Sequence, residues 1–177
     1  MELSPITVGV FGSGTQPHEA LSRDVGHALA ALGVNLLTGG GGGVMTSVSE
    51  AFTRAHRTRG VCIGIIPCES EDARGTPKRG YPNPFVELAI QTHLPLSGER
   101  GTDDLSRNHI NVLSCVASVA LPGEAGTAAE VALAVRYGRP VIAYSHDFSL
   151  ISHFSDAVAR VDTINQVTRF LEAHFAR

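Results

Sequence analysis

Short apolar runs alternate with segments of helical period along nearly the whole chain, and this alternation restricts the fold more than any other feature. Ile6–Phe11 reads as a buried strand ending in Gly12-Ser13-Gly14. A helix follows from about Pro17, with Leu21, Val25, Ala28, Leu29 and Leu32 along one face and Gly33 as its stop. Val34–Leu37 reads as a second strand, Val44 to about Arg59 as a helix and Val61–Ile66 as a third strand. Pro67–Pro84, with its prolines and charges, has no period and reads as a long loop, a kind that tends to be functional inside compact domains. Val86–Ile90 is the expected fourth strand, Gln91–Asp104 a polar approach and Leu105–Ser114 a helix. Cys115–Leu121 is the fifth strand; a helix then runs to about Tyr137, where Gly138 stops it. Pro140–Tyr144 is the sixth strand, and an amphipathic helix near Ile164–His174 closes the pattern.

Strand, helix and strand in repeated succession imply right-handed crossovers and a parallel sheet. The expected fold is α/β: a Rossmann-like, doubly wound, mainly parallel sheet of about six or seven strands with helices on both faces, one domain over residues 1–177. The strands read as continuous apolar runs, the pattern of strands covered on both sides. In such sheets ligands bind outside the carboxyl ends of strands, at a topological switch point.

Composition removes several classes of function. A net charge of −3 lacks the basic face that nucleic acid requires, so no nucleic-acid partner is expected. No run of 18 apolar residues offers a membrane span, and Met1–Pro5 lacks the basic and apolar regions of a signal peptide. Cys62, Cys68 and Cys115 are odd in number and have no C-x-x-C spacing, which fits small apolar fillers and a cytoplasmic location. Eight histidines show no metal-ligand spacing, so no metal site is expected.

The 19 glycines cluster at element boundaries, where a backbone turns sharply or approaches a ligand. The first cluster, Gly9-x-x-Gly12-x-Gly14, is not a dinucleotide fingerprint: Pro17 stands where a third glycine belongs, and no acidic residue closes the second strand. Gly12, Ser13 and Gly14 then form either a tight turn or a phosphate contact. The second cluster, Gly39, Gly40, Gly41, Gly42 and Gly43, lies between a strand and a helix, where a row of backbone N–H groups attracts an anion. The third is Pro122-Gly123-Glu124-Ala125-Gly126-Thr127, whose Gly126 and Thr127 would present N–H groups and a hydroxyl at a helix mouth. Thr127-x-x-Glu130 also has the spacing of a capping box, in which both side chains only satisfy orphan N–H groups.

The pairing of Thr38-Gly-Gly-Gly-Gly-Gly-Val44-Met45 with Pro122-Gly-x-x-Gly126-Thr127-x-x-Glu130 resembles the LOG, or "lysine decarboxylase-like", superfamily. Arg107, fifteen residues before Pro122, matches that superfamily's arginine, and the resemblance covers Ile6 to about Tyr144. Glu124 departs from the pattern, which has a second glycine there. One branch implied by the resemblance cleaves the N-glycosidic bond of nucleoside 5′-monophosphates, with Arg107 and Glu130 catalytic and no cofactor required. A carboxylate there would stabilise an oxocarbenium-like ribosyl centre or activate water, and the guanidinium would hold phosphate or orient Glu130. The other branch carries molybdenum cofactor without catalysis, and the run Arg107-Asn108-His109-Ile110-Asn111 is closer to it. In either case the resemblance implies a phosphorylated small molecule, a nucleoside monophosphate or a pterin cofactor, held by Gly12, Ser13, Gly14, Gly39, Gly40, Gly41, Gly42, Gly43, Met45, Asn108, Pro122, Gly123, Gly126 and Thr127. It also implies a homodimer or higher homo-oligomer. Ser97-Gly98-Glu99-Arg100 either lines this pocket or is a solvated loop.

Overall fold

The structure, a computed structural model, describes residues 6–175. Seven strands form its sheet: β1 (Thr7–Phe11), β2 (Asn35–Thr38), β3 (Cys62–Ile66), β4 (Leu88–Gln91), β5 (Ala117–Ala120), β6 (Val141–Tyr144) and β7 (Ala159–Val161). Five α-helices connect or follow them: α1 (Glu19–Leu32), α2 (Val44–Arg54), α3 (Asn108–Leu113), α4 (Ala125–Arg136) and α5 (Ile164–Phe175), with short 3₁₀ turns at Gly98–Arg100 and Phe148–Ile151. The sheet order is β4-β3-β2-β1-β5-β6-β7, and every neighbouring pair is parallel.

The helices lie on both faces, as the apolar periodicity requires. On one side Leu21, Val25 and Leu29 of α1, Val48 and Phe52 of α2, and Val167 and Leu171 of α5 pack with Val8, Val10, Leu36 and Val119 of the central strands. On the other, Val112 of α3 and Leu133 and Ala134 of α4 pack with Phe11, and Val131 with Ala120 and Ala143. α1 ends as its glycine implies, with Gly33 at φ 66° and its N–H on the Ala30 carbonyl.

The chain winds from β1 outward to β4, then returns to the middle and winds outward again from β5. The order therefore reverses between β1 and β5, which places the switch-point crevice above their carboxyl ends.

Three expectations change at the sheet edges and at one helix end. β4 is not covered on both faces: all four of its residues are exposed, because it is an edge strand with β3 as its one neighbour. β7 escapes the apolar pattern because it has three residues, one of them Arg160. The second helix stops at Arg54, not near Arg59; Ala55 is extended, and Arg57 turns back to donate to the Gly60 carbonyl and to pair with Glu87. No helix among the described residues is long and apolar enough to cross a membrane. Met1–Pro5, read for its lack of a signal peptide, lie outside the described residues.

Candidate functional site

A cavity of about 300 Å³ opens over the carboxyl ends of β1, β2 and β5, a volume at the lower end of the range for small-molecule pockets. Gly12, Gly14, Gly39, Met45, Arg107, Asn108, Gly126, Thr127 and Glu130 line it, so parts of all three glycine turns meet at one place. Tyr81, Ser97, Gly98, Glu99, Glu124 and Ala125 join them in the wall, with Val10 and Phe11 from the end of β1.

Arg107 sits at the deep end. It is the N-cap of α3 and only 4% exposed, yet its Nε and Nη1 have no hydrogen-bond partner. A buried guanidinium with orphan donors is costly unless something anionic meets it. Gly39 makes room for it, because a Cβ at that position would fall on the guanidinium nitrogens. The Tyr81 ring lies 5.9 Å from the guanidinium carbon and forms an aromatic wall beside it.

Glu130, on the second turn of α4, is 8% exposed and accepts a 2.8 Å hydrogen bond from Asn111 Nδ2. Burial pushes its carboxyl up from 4.5 to about 7, against the opposing pull of Arg107 and of the Asn111 hydrogen bond. Such a group can give or accept a proton near neutral pH. The capping-box alternative does not hold: the N-cap of α4 is Glu124, no side chain caps this helix, and Thr127 lies inside its first turn. Glu130 therefore faces the pocket, held from behind by Asn111, instead of closing the helix end.

The remaining predicted residues lie behind the wall. Ser13 is fully buried; its N–H bonds to the Pro122 carbonyl at 3.0 Å, and its hydroxyl accepts from Gln16 N at 2.9 Å. Gly123 permits this approach, since a Cβ there would collide with Thr127 Oγ1 and the Ser13 nitrogen. In the glycine run, the N–H groups of Gly40 and Gly41 are engaged internally, on Thr38 Oγ1 and Met45 Sδ. The carbonyls of Gly40 and Gly41 accept from Asn83, at 2.7 Å from its backbone N and 3.0 Å from its side chain. Gly43, at φ 59°, lies against the Ser13 carbonyl. The run thus seats the 81–83 loop and the β1–α1 turn, and Gly39 is the member that reaches the cavity.

Two residues of the site, Tyr81 in the wall and Asn111 buried behind Glu130, escaped the sequence reading. Asn111 had a usable signal: it follows Arg107 by four positions, which puts the two on one helical face. Tyr81 had none, because it comes from the long irregular loop. Of the four residues Ser97–Arg100, the first three line the pocket. His109 is turned to Tyr137 and the Asp103 carbonyl, away from the site. The three cysteines are buried, and burial pushes the Cys62 and Cys115 thiols up to about 11 and about 12. No group of three potential metal ligands occurs among the described residues.

The model of the SLOG cluster4 family matches residues 5–171. The chain belongs to this family. The resemblance to the LOG superfamily, read from the three motifs, is confirmed at that level. The SLOG cluster4 chain is 29% identical over 137 residues to an uncharacterised protein of Archaeoglobus fulgidus, covering 76% of each. Among solved structures it is similar to the molybdenum cofactor binding protein of Rippkaea orientalis, with a TM-score of 0.74 and 27% identity over 97% of this chain and 98% of that one. It is also similar to the molybdenum cofactor carrier protein of Chlamydomonas reinhardtii, with a TM-score of 0.68 and 27% identity over 98% and 99% of the two chains.

Proposed function

We propose that this chain binds a phosphorylated small molecule in the β1–β5 pocket and carries it, with a phosphorylated pterin of the molybdenum cofactor type as the leading ligand class. The observation that carries the reading is the Arg107 guanidinium: nine-tenths buried, lining the cavity, with two donors unmatched by the protein. A fork of fixed donors suits a phosphate oxygen pair, and Tyr81 offers a face for a planar ring. The proteins of Rippkaea orientalis and Chlamydomonas reinhardtii, similar over almost their whole length, support a carrier role.

A second reading, hydrolysis of the N-glycosidic bond of a nucleoside 5′-monophosphate, is favoured by Glu130. Its carboxyl, near 7 and in the same cavity as Arg107, has the protonation behaviour of a general acid or base. One experiment separates the two. The protein is incubated with the common nucleoside monophosphates and a phosphorylated pterin, following bound ligand by equilibrium dialysis and free base by chromatography. Binding without release, lost in Arg107→Ala, supports the carrier; base release that disappears in Glu130→Gln supports the hydrolase. Absence of binding for every ligand would overturn both.

We also propose a homo-oligomer. Leu113 at the end of α3 and Val135 and Tyr137 at the end of α4 are exposed apolar residues on two helices that pack together, a surface suited to a second copy. Light scattering is expected to give a multiple of 18.6 kDa, and a monomeric mass would contradict it.

A further inference from the structure

The geometry points to Glu124 as a resident anion that sets the ligand's orientation and restricts it to a single phosphate group. This inference rests on the proposed binding of a phosphorylated ligand.

The two turns that flank the switch-point crevice are joined by this residue. Ser13, in the β1–α1 turn, donates its hydroxyl proton to Glu124 Oε1 at 2.8 Å, across 111 residues of sequence. The Ser13 hydroxyl oxygen in turn accepts from the backbone N–H groups of Gln16 and Thr15, at 2.9 and 3.2 Å. A serine hydroxyl has one proton, and here it is committed. The Ser13 backbone N–H is committed as well, to Pro122. Ser13 is therefore unable to grip a phosphate while Glu124 is in place.

Glu124 is also the N-cap residue of α4, a twelve-residue helix whose first turn lines the cavity. Unpaired N–H groups at a helix start favour an anion. Here the protein supplies a carboxylate of its own beside them, turned to Ser13 and not capping the helix. Glu99, in the 3₁₀ turn, also lines the cavity, and Gly98 beside it passes within 3.7 Å of where a Cβ of Gly126 would stand. A phosphate placed over this turn meets two carboxylates and little space.

The pocket is thus polarised along its depth. Its buried end presents the unmatched donors of Arg107, and its exposed end presents Glu124 and Glu99. A ligand with one phosphate fits with that group inward and its hydroxyl or amino donors toward Glu124. A ligand with a second phosphate, or one entering in the reverse orientation, places negative charge against the carboxylates.

Binding of inorganic phosphate and pyrophosphate, and of AMP and ADP, to the full-length protein tests this at low ionic strength by phosphorus NMR titration. In the unaltered protein phosphate and AMP are expected to bind at least tenfold more tightly than pyrophosphate and ADP. Glu124→Gln removes the charge but keeps an acceptor for Ser13. It should tighten pyrophosphate and ADP binding at least fivefold relative to phosphate and AMP. Equal binding of mono- and diphosphates, or no change in their ratio in Glu124→Gln, with binding still lost in Arg107→Ala, overturns this inference alone. Failure of all four probes to bind either protein overturns this inference, and the proposed function falls with it when a phosphorylated pterin fails to bind as well.

Discussion

A β-carbon at position 39 would fall on the Arg107 guanidinium, so the first glycine of the run is required for a cation and not for a turn. Gly39 has no positive φ, unlike Gly40 and Gly43, which makes steric room its whole purpose. In Gly39→Ala the guanidinium must swing out of its slot, and its orphan donors no longer converge on the cavity floor. Overpacking of this kind costs roughly 1–3 kcal/mol. The protein is expected to remain folded by circular dichroism and to lose at least tenfold in affinity for a phosphorylated ligand by isothermal titration. Unchanged affinity would show that the donors of Arg107 are not where the ligand's anion sits. Arg107→Lys should fall in the same direction, because a point charge does not reproduce the planar fork.

At the scale of elements, the fold depends on how tightly α1 and α2 cross. A Cβ at Gly26 of α1 would stand 2.7 Å from Ala51 Cβ and 2.8 Å from the Val48 carbonyl of α2, so these helices meet at a position where only glycine fits. Gly26→Val should destabilise the fold by about 2 kcal/mol or more, lowering Tm by about 4–8 °C in a chain of this length. Because Gly26 is remote from the cavity, ligand affinity at low temperature should not move; a change there would mean that the crossing also shapes the site. Much of this architecture was legible beforehand. The strand–helix alternation implied a parallel doubly wound sheet, and the three glycine turns with Arg107 and Glu130 lay where a switch-point site would need them. What remained hidden had physical reasons. β7 is too short and too polar to stand out, and β4 looks like a buried strand because Leu88 and Ile90 are apolar yet exposed at a sheet edge. Gly40–Gly43 carry the composition of an anion nest, but their partners, Thr38, Met45 and Asn83, come from tertiary packing that spacing does not encode. The capping-box spacing of Thr127 and Glu130 was ambiguous for the same reason. The deciding contact, from Asn111 to Glu130, crosses between two helices.

For the molecule as a whole, the buried Glu130 ties stability to pH. Its carboxyl titrates near 7 in the folded protein against 4.5 ordinarily, chiefly because burial disfavours the charge. Between those values the folded state holds a proton that the unfolded chain has released. The stability associated with that proton is fully present below about 4.5 and is lost as pH rises through 7. Glu87 works in the opposite sense, since its partner Arg57 and the Cys62 N–H hold its carboxyl below 4.5, so the melting curve of the unaltered protein mixes the two. Glu130→Gln isolates the first. The amide can still accept from Asn111, has no proton to release, and leaves Arg107 with the same neighbours at every pH. The Tm of the unaltered protein relative to Glu130→Gln should therefore fall on going from pH 5 to pH 8. A difference on the order of 2 kcal/mol corresponds to about 5 °C. A parallel pair of Tm-versus-pH curves would mean that Glu130 is charged throughout, held by Arg107 as a permanent ion pair. The Arg107 donors would then be balanced without a ligand, and the case for an anion at the cavity floor would weaken with them.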